Sequence, residues 1–218
     1  MLELFLAAFV TFFVVIDPPG IAPLFASMTQ GTSEAWRRKM AFKSVGIAAG
    51  VLLGFAYGGE WLLGKLHVSL DAFRIAGGLL LLLIAIDMLF EKRTERREDR
   101  AEMVKEHREK HDGRFEDISV FPLAIPLVSG PGAIASIMLL FAQHESLLSQ
   151  GVILSAVAAN LLLCLFAFLL AGPLMKIIGA TGAAMITRIL GIILAALACQ
   201  FMIDGVVNAF GITVPGKA

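Results

Sequence analysis

The chain has 218 residues, 58% of them hydrophobic and 17% charged, with a mean hydropathy of +0.83 and no net charge. Soluble domains carry roughly 25% charged residues, so a soluble globular fold is excluded. A balanced charge leaves no basic footprint for nucleic acid.

A bilayer crossing needs about 20 apolar residues, and six such runs follow in order near residues 3–28, 40–59, 70–90, 119–143, 150–171 and 185–210. The first opens as MLELFLAAFV with an acid and no Lys/Arg ahead of it, so it reads as a retained helix rather than a signal peptide. Alternate connections share one side of the membrane. Arg37, Arg38, Lys39, Lys43, nine residues between Lys92 and Arg114, and Lys176 put fourteen Lys/Arg on one side, against Lys65 and Lys217 on the other. The positive-inside rule then makes the 91–118 stretch cytoplasmic and puts both termini outside, in a cytoplasmic membrane. Trp36, Tyr57 and Trp61 fall at the expected edges as interfacial anchors.

The charged stretch EKRTERREDRAEMVKEHREKHDGRFED interleaves acids and bases without an apolar stripe, so it is expected to be solvated and not a second domain. His107 and His111 stand four apart within it and read as solvated side chains rather than metal ligands. Cys164 and Cys199 sit in apolar runs as packing residues, and two thiols without neighbouring ligands make no closed metal site. No cofactor motif is present.

The chain repeats itself at a shift of 112 to 115 residues. Asp17-Pro18-Pro19-Gly20-Ile21-Ala22 aligns with Ser129-Gly130-Pro131-Gly132-Ala133-Ile134, Arg74-Ile75-Ala76-Gly77 with Arg188-Ile189-Leu190-Gly191, and Asp87 with Asp204 three residues out of register. Each half holds three crossings, an odd number, so the second half must be inverted. The expected fold is an all-α integral membrane protein of six helices in a single membrane domain over 1–218. Repeat 1 covers about 1–90 and repeat 2 about 119–211, with helices 1 and 4 broken at mid-membrane.

The breaks follow from residue chemistry. Proline removes a donor and clashes with the preceding turn, glycine lets the chain turn, and Asp or Ser ahead of Pro is also how a helix starts. Each motif should therefore open a new half-helix. Backbone N–H groups freed there, with the positive ends of the half-helices, suit a carboxylate or other small anion. An acid in mid-membrane is costly and marks a proton, ion or substrate contact. Candidate substrate-binding residues are Asp17, Pro18, Pro19 and Gly20 at the first break and Ser129, Gly130, Pro131 and Gly132 at the second. Asp17 is also the ion-coupling candidate, against the alternative that it only caps its half-helix. Asn160 and Gln200, deeper in the fifth and sixth runs, stand open between substrate contact and helix–helix bonding. Arg74 and Arg188 read as snorkelling or paired, and Asp87 and Asp204 as interfacial. Gly46, Gly50, Gly54 and Gly58 make a smooth helix face whose partner lies within the chain or in a second copy, giving a homo-oligomer.

Four strings, DPPGIAPLF (17–25), FRIAGGLLLL (73–82), FPLAIPLVSGPGAIASI (121–137) and ITRILGIILAALACQFMIDG (186–205), resemble the MarC family of six-helix membrane proteins. The resemblance runs from first crossing to last and lapses in the charged loop. It implies a transporter of small neutral amino acids such as glycine or alanine, in a fold related to the LysE-type exporters. Where the family commonly reads Asn-Pro and Asn-Gly, this chain has Asp17-Pro18 and Asp204-Gly205. No G-x-x-x-x-G-K-[ST] loop is present, so a gradient or exchange would drive transport. The rival readings are a small-solute channel or structural membrane protein, and an enzyme using Asp17 with Asp87 or Asp204 as an acid–base pair.

Overall fold

Residues 1–90 and 117–212 are described by the computed structural model, and their regular structure is helical. The elements are α1 (Leu2–Ile16), α2 (Pro18–Met28), α3 (Glu34–Lys65), α4 (Leu70–Leu89), the irregular α5 (Ser119–Val128), α6 (Pro131–Gln143), α7 (Leu147–Leu169) and α8 (Ala171–Ala209). Five stretches are long and apolar enough to cross a membrane: Leu2–Met28, Glu34–Lys65, Leu70–Leu89, Leu147–Leu169 and Thr181–Ala209. The sixth is α5 with α6, bent by 56° at its break. The protein is an all-α, multi-pass integral membrane protein.

Serines start three of the crossings. Ser33, Ser69 and Ser146 sit in extended backbone and accept from the N–H groups of Trp36, Ala72 and Ser149, satisfying donors that α3, α4 and α7 cannot bond internally.

Three elements depart from the sequence expectation. Helix α3 runs 32 residues, against the 40–59 read from hydropathy, because polar flanks continue the helix beyond the apolar core. The link before the last crossing is helical from Ala171 and is interrupted at Gly179, whose φ of 69° and ψ of 170° suit only glycine. In α5 the half-helix before the second break is not a regular α-helix. Phe121 and Ile125 are extended because each precedes a proline, Pro122 and Pro126. Its bonds accordingly span five residues, from Leu123 N to Ile118 O (3.3 Å) and from Ser129 N to Ala124 O (2.9 Å). Most of the charged 91–118 stretch, with His107 and His111, lies outside the described residues.

The broken first crossing is central. Half of its most apolar stretch is buried within the protein, against 28% for α4 and for the last crossing, so Phe12, Ile16, Ile21 and Phe25 are core while Leu83, Ile192 and Ile203 face outward. Helix α1 packs on α6 and α7, α2 on α7 and α8, and α3 on α5, α6 and α7. Phe25 stacks on Phe168 at 4.5 Å between centroids, joining α2 to α7.

Helices α4 and α8 lie antiparallel in close contact. A Cβ on Gly78 would stand 2.8 Å from the Ala198 carbonyl oxygen, one on Gly191 3.0 Å from Met88 Cβ, and one on Gly205 3.0 Å from the Asp71 carbonyl oxygen. Asp87 and Asp204 consequently lie at opposite ends of this pair.

At the start of α5, Lys43 of α3 pairs with Asp117, which also accepts from the Ser119 hydroxyl and from Ser119 N at 3.0 Å. The Lys43 hydrogen bond, then that of Ser119, lowers the Asp117 carboxyl from its ordinary 3.8 to about 2.

Candidate functional site

Asp17 is the single residue between α1 and α2. Its φ of 58° and ψ of 61° place it in the left-handed region, which Asp tolerates better than most residues. Its N–H donates to Phe13 O (2.9 Å), closing α1, while its carbonyl accepts from Gly20 N (3.0 Å) and Ile21 N (3.1 Å), opening α2. The side chain turns back as the cap: Oδ1 accepts from Gly20 N at 3.1 Å. Pro18 and Pro19 fill the first helical positions, where an N–H has no helical acceptor.

The Asp17 carboxylate is fully buried. Thr187, buried on α8, donates its hydroxyl to the carboxylate and stands 3.1 Å from both oxygens. Gly20 is required here for space. A Cβ on it would overlap Asp17 Oδ2 and stand 2.6 Å from Thr187 Oγ1. The first break is thus a three-residue assembly of Asp17, Gly20 and Thr187, and Thr187 is a partner the sequence reading missed.

The second break is built differently. Gly130, not Ser129, is the residue that starts α6, and no side chain caps it. Ser129 is buried with its hydroxyl donating back to Ala124 O at 2.8 Å, which corrects the expectation that it would cap the half-helix as Asp17 does. The Ser129 side chain is taken by the carbonyl that the wide turns of α5 leave in reach. Pro131 is exposed and Gly132 is buried. A Cβ on Gly132 would stand 3.0 Å from Val15 Cγ1 and 2.9 Å from Ile84 Cδ1. The end of α1 and the start of α6 therefore meet, and the two breaks are neighbours.

Among the other candidates, Asn160 is fully buried and its amide nitrogen donates to Phe9 O (3.0 Å) and Ala156 O (2.9 Å), tying α7 to α1. That bond lies about 12 Å along α1 from Asp17 at 1.5 Å per residue, so one small solute does not touch both. Gln200 is exposed on α8 and donates to Asp204 Oδ1 at 2.8 Å, away from the breaks. Gly46, Gly50, Gly54 and Gly58 pack against nothing among the described residues. The last three floor an apolar groove of about 360 Å³ with Trp61 and Leu62.

A family model described as MarC family integral membrane protein matches residues 2–210. A UPF0056 membrane protein of Methanocaldococcus jannaschii is 35% identical over 95% of this chain and 98% of its own length. The chain belongs to the MarC family. The UPF0056 membrane proteins YhcE of Escherichia coli and YvbG of Bacillus subtilis are 33% and 30% identical, covering 93% and 96% of this chain and 91% and 97% of their own. No solved structure matches it. In this MarC-family chain, then, the geometry at Asp17 is what distinguishes one polar residue from the others. It is a carboxylate buried at a helix break and held by a donor from another crossing, so it joins α2 to α8.

Proposed function

We propose that this MarC-family protein is a secondary carrier of small neutral amino acids, glycine- or alanine-like, with Asp17 as its ion-coupling residue. The observation behind the reading is the fully buried Asp17 carboxylate at the junction of two half-helices. An acid at such a depth is retained where its charge is used. The N-terminus of α2 is occupied by Asp17 itself, whereas that of α6 is uncapped beside it, which leaves the positive end of α6 for a substrate carboxylate. Pro18, Pro19, Gly20, Gly130, Pro131 and Gly132 then contribute backbone rather than side chains.

The inverted repeat belongs to the same proposal. Gly191 meets Ala85 and Met88, and Gly78 meets Ala198 and Met202. The shift that carries Arg74 to Arg188 carries Met88 to Met202 and brings Gly191 within one residue of Gly78. Contacts repeated in this way favour a pseudo-two-fold axis in the membrane plane. The orientation with both termini outside rests on the Lys/Arg asymmetry, and a second copy is proposed to cover the open glycine face of α3.

The test is uptake of labelled glycine and alanine by proteoliposomes under imposed proton and sodium gradients. The carrier reading expects accumulation by the unaltered protein, and loss of the gradient response in Asp17→Asn, which keeps the capping oxygen. A variant that transports with the unaltered rate and gradient response makes Asp17 a cap alone.

A further inference from the structure

Most buried hydroxyls in the bundle are answered by their own helix. Thr11 bonds to Ala7 O, Thr29 to Phe25 O and Ser44 to Ala41 O. Two side-chain oxygens break this pattern. Among the described residues, Ser136 Oγ and Asn160 Oδ1 are buried without a hydrogen-bond partner, and both residues are fully inaccessible. A buried oxygen left open in a native structure calls for an occupant.

The two stand at one depth of the bundle. Helix α6 runs antiparallel to α4, since Gly132 meets Leu81 and Ile84 while Ala135 meets Gly77. Gly132 also meets Val15 at the end of α1, and α1 packs along α6. Ser136, one turn further along α6, is therefore level with the turn of α1 that holds Thr11 and Phe12. Asn160 reaches the same turn from α7, through its bond to Phe9 O. Because both amide hydrogens of Asn160 are spent on backbone carbonyls, its Oδ1 is fixed in direction and can only accept.

We propose that Asn160 Oδ1 and Ser136 Oγ are ligands of a sodium site between α1, α6 and α7, outward of Asp17. The proposal rests on the carrier reading for its role, as the site of the driving ion, but not for its chemistry. Oxygen donors suit a hard cation. Ligands with no formal charge favour a monovalent ion over a divalent one, since a dehydrated divalent charge needs carboxylates to offset it. A cation there also lies within the field of Asp17, two turns inward, and interior charges interact over such distances more strongly than in water.

The experiment is thermal unfolding of the purified full chain in detergent, in sodium chloride against N-methylglucamine chloride and potassium chloride at equal ionic strength. The variants are Asn160→Leu, which keeps the branched skeleton but lacks the oxygen and the two amide hydrogens, and Ser136→Ala. The unaltered protein is expected to gain about 5–10 °C at a hundredfold excess of sodium over its dissociation constant. Both variants should unfold cooperatively and lose that gain. An equal Tm in all three salts overturns the site, and so does an undiminished sodium gain in either variant. The measurement needs no transport: a sodium gain without amino acid uptake sinks the carrier reading alone, and uptake without a sodium gain sinks the site alone.

Discussion

Thr187→Val tests the assembly around Asp17 with the least change of shape. Valine replaces the hydroxyl with a methyl, so the buried carboxylate loses the donor that stands 3.1 Å from both oxygens and keeps the Gly20 N–H. A hydrogen bond to a charged group contributes about 1.5–3 kcal/mol. For a chain of this size 1 kcal/mol moves Tm by roughly 2–4 °C, so a fall of about 3–12 °C is expected on heating the detergent-solubilised protein. Thr187→Ser keeps the donor and should recover at least half of the loss. Combining Thr187→Val with Asp17→Asn completes the cycle, because a bond to a neutral amide is worth only about 0.5–1.5 kcal/mol and the second change should cost correspondingly less. A Thr187→Val protein whose Tm matches the unaltered one would refute the idea that the hydroxyl stabilises the buried charge.

Gly20→Ala should destabilise by about 1–3 kcal/mol, since its methyl enters the space of Asp17 Oδ2 and Thr187 Oγ1. Gly64→Ala, at an open helical position, should leave Tm level or raised, and equal losses at the two positions would contradict the crowding seen at Gly20. The Lys43–Asp117 pair should stabilise fully above about pH 4 and fade as pH falls toward 2, because the folded carboxyl is lowered to about 2 from 3.8. With the two side chains 44% and 46% exposed, solvent screening holds its worth to about 0.2–1 kcal/mol, and the Tm difference between Lys43→Met and the unaltered chain should vanish at the acid end. Gly54→Cys should cross-link two copies in membranes if the α3 face is their contact, whereas cross-linking no better than at Lys65→Cys argues against that interface.

The crossings and their interruptions were legible because single residue types decide them. Long apolar runs set the helices, and the proline–glycine motifs at 17–20 and 129–132 stop them. Pro122 and Pro126 carry the same signal, four residues apart, and α5 is irregular because of them. Asp17 was legible as a cap through the proline that follows it, and Gly20 proves to be the donor it caps. Thr187 was not, because its bond to Asp17 spans 170 residues and nothing local distinguishes one threonine in an apolar helix from another. The repeat drew attention to its neighbour Arg188, which is exposed. Gln200 illustrates the opposite failure: depth in the sequence run says nothing about which side of the helix faces the bundle, and this one faces out. The α3 glycines were legible as a smooth face, yet only the packing tells that no described segment of the chain covers it.

The two breaks carry similar motifs but do different things to the backbone, and the side chain at the break is one part of the cause. At the first, the Asp17 carboxylate satisfies a donor of the next helix, so one residue in the left-handed region is enough and the two halves remain a single crossing. At the second, Ser129 spends its hydroxyl on Ala124 O, nothing caps α6, and both Ser129 and Gly130 leave helical geometry. The segment ahead of it is already thinned of hydrogen bonds, since Pro122 and Pro126 have no N–H to give and extended Phe121 and Ile125 break the turns. The bend of 56° belongs to that combination. A local opening costs least where backbone bonds are fewest, so of the two neighbouring breaks it is the 119–131 stretch, and not the capped Asp17 junction, that has the weaker hold on its conformation.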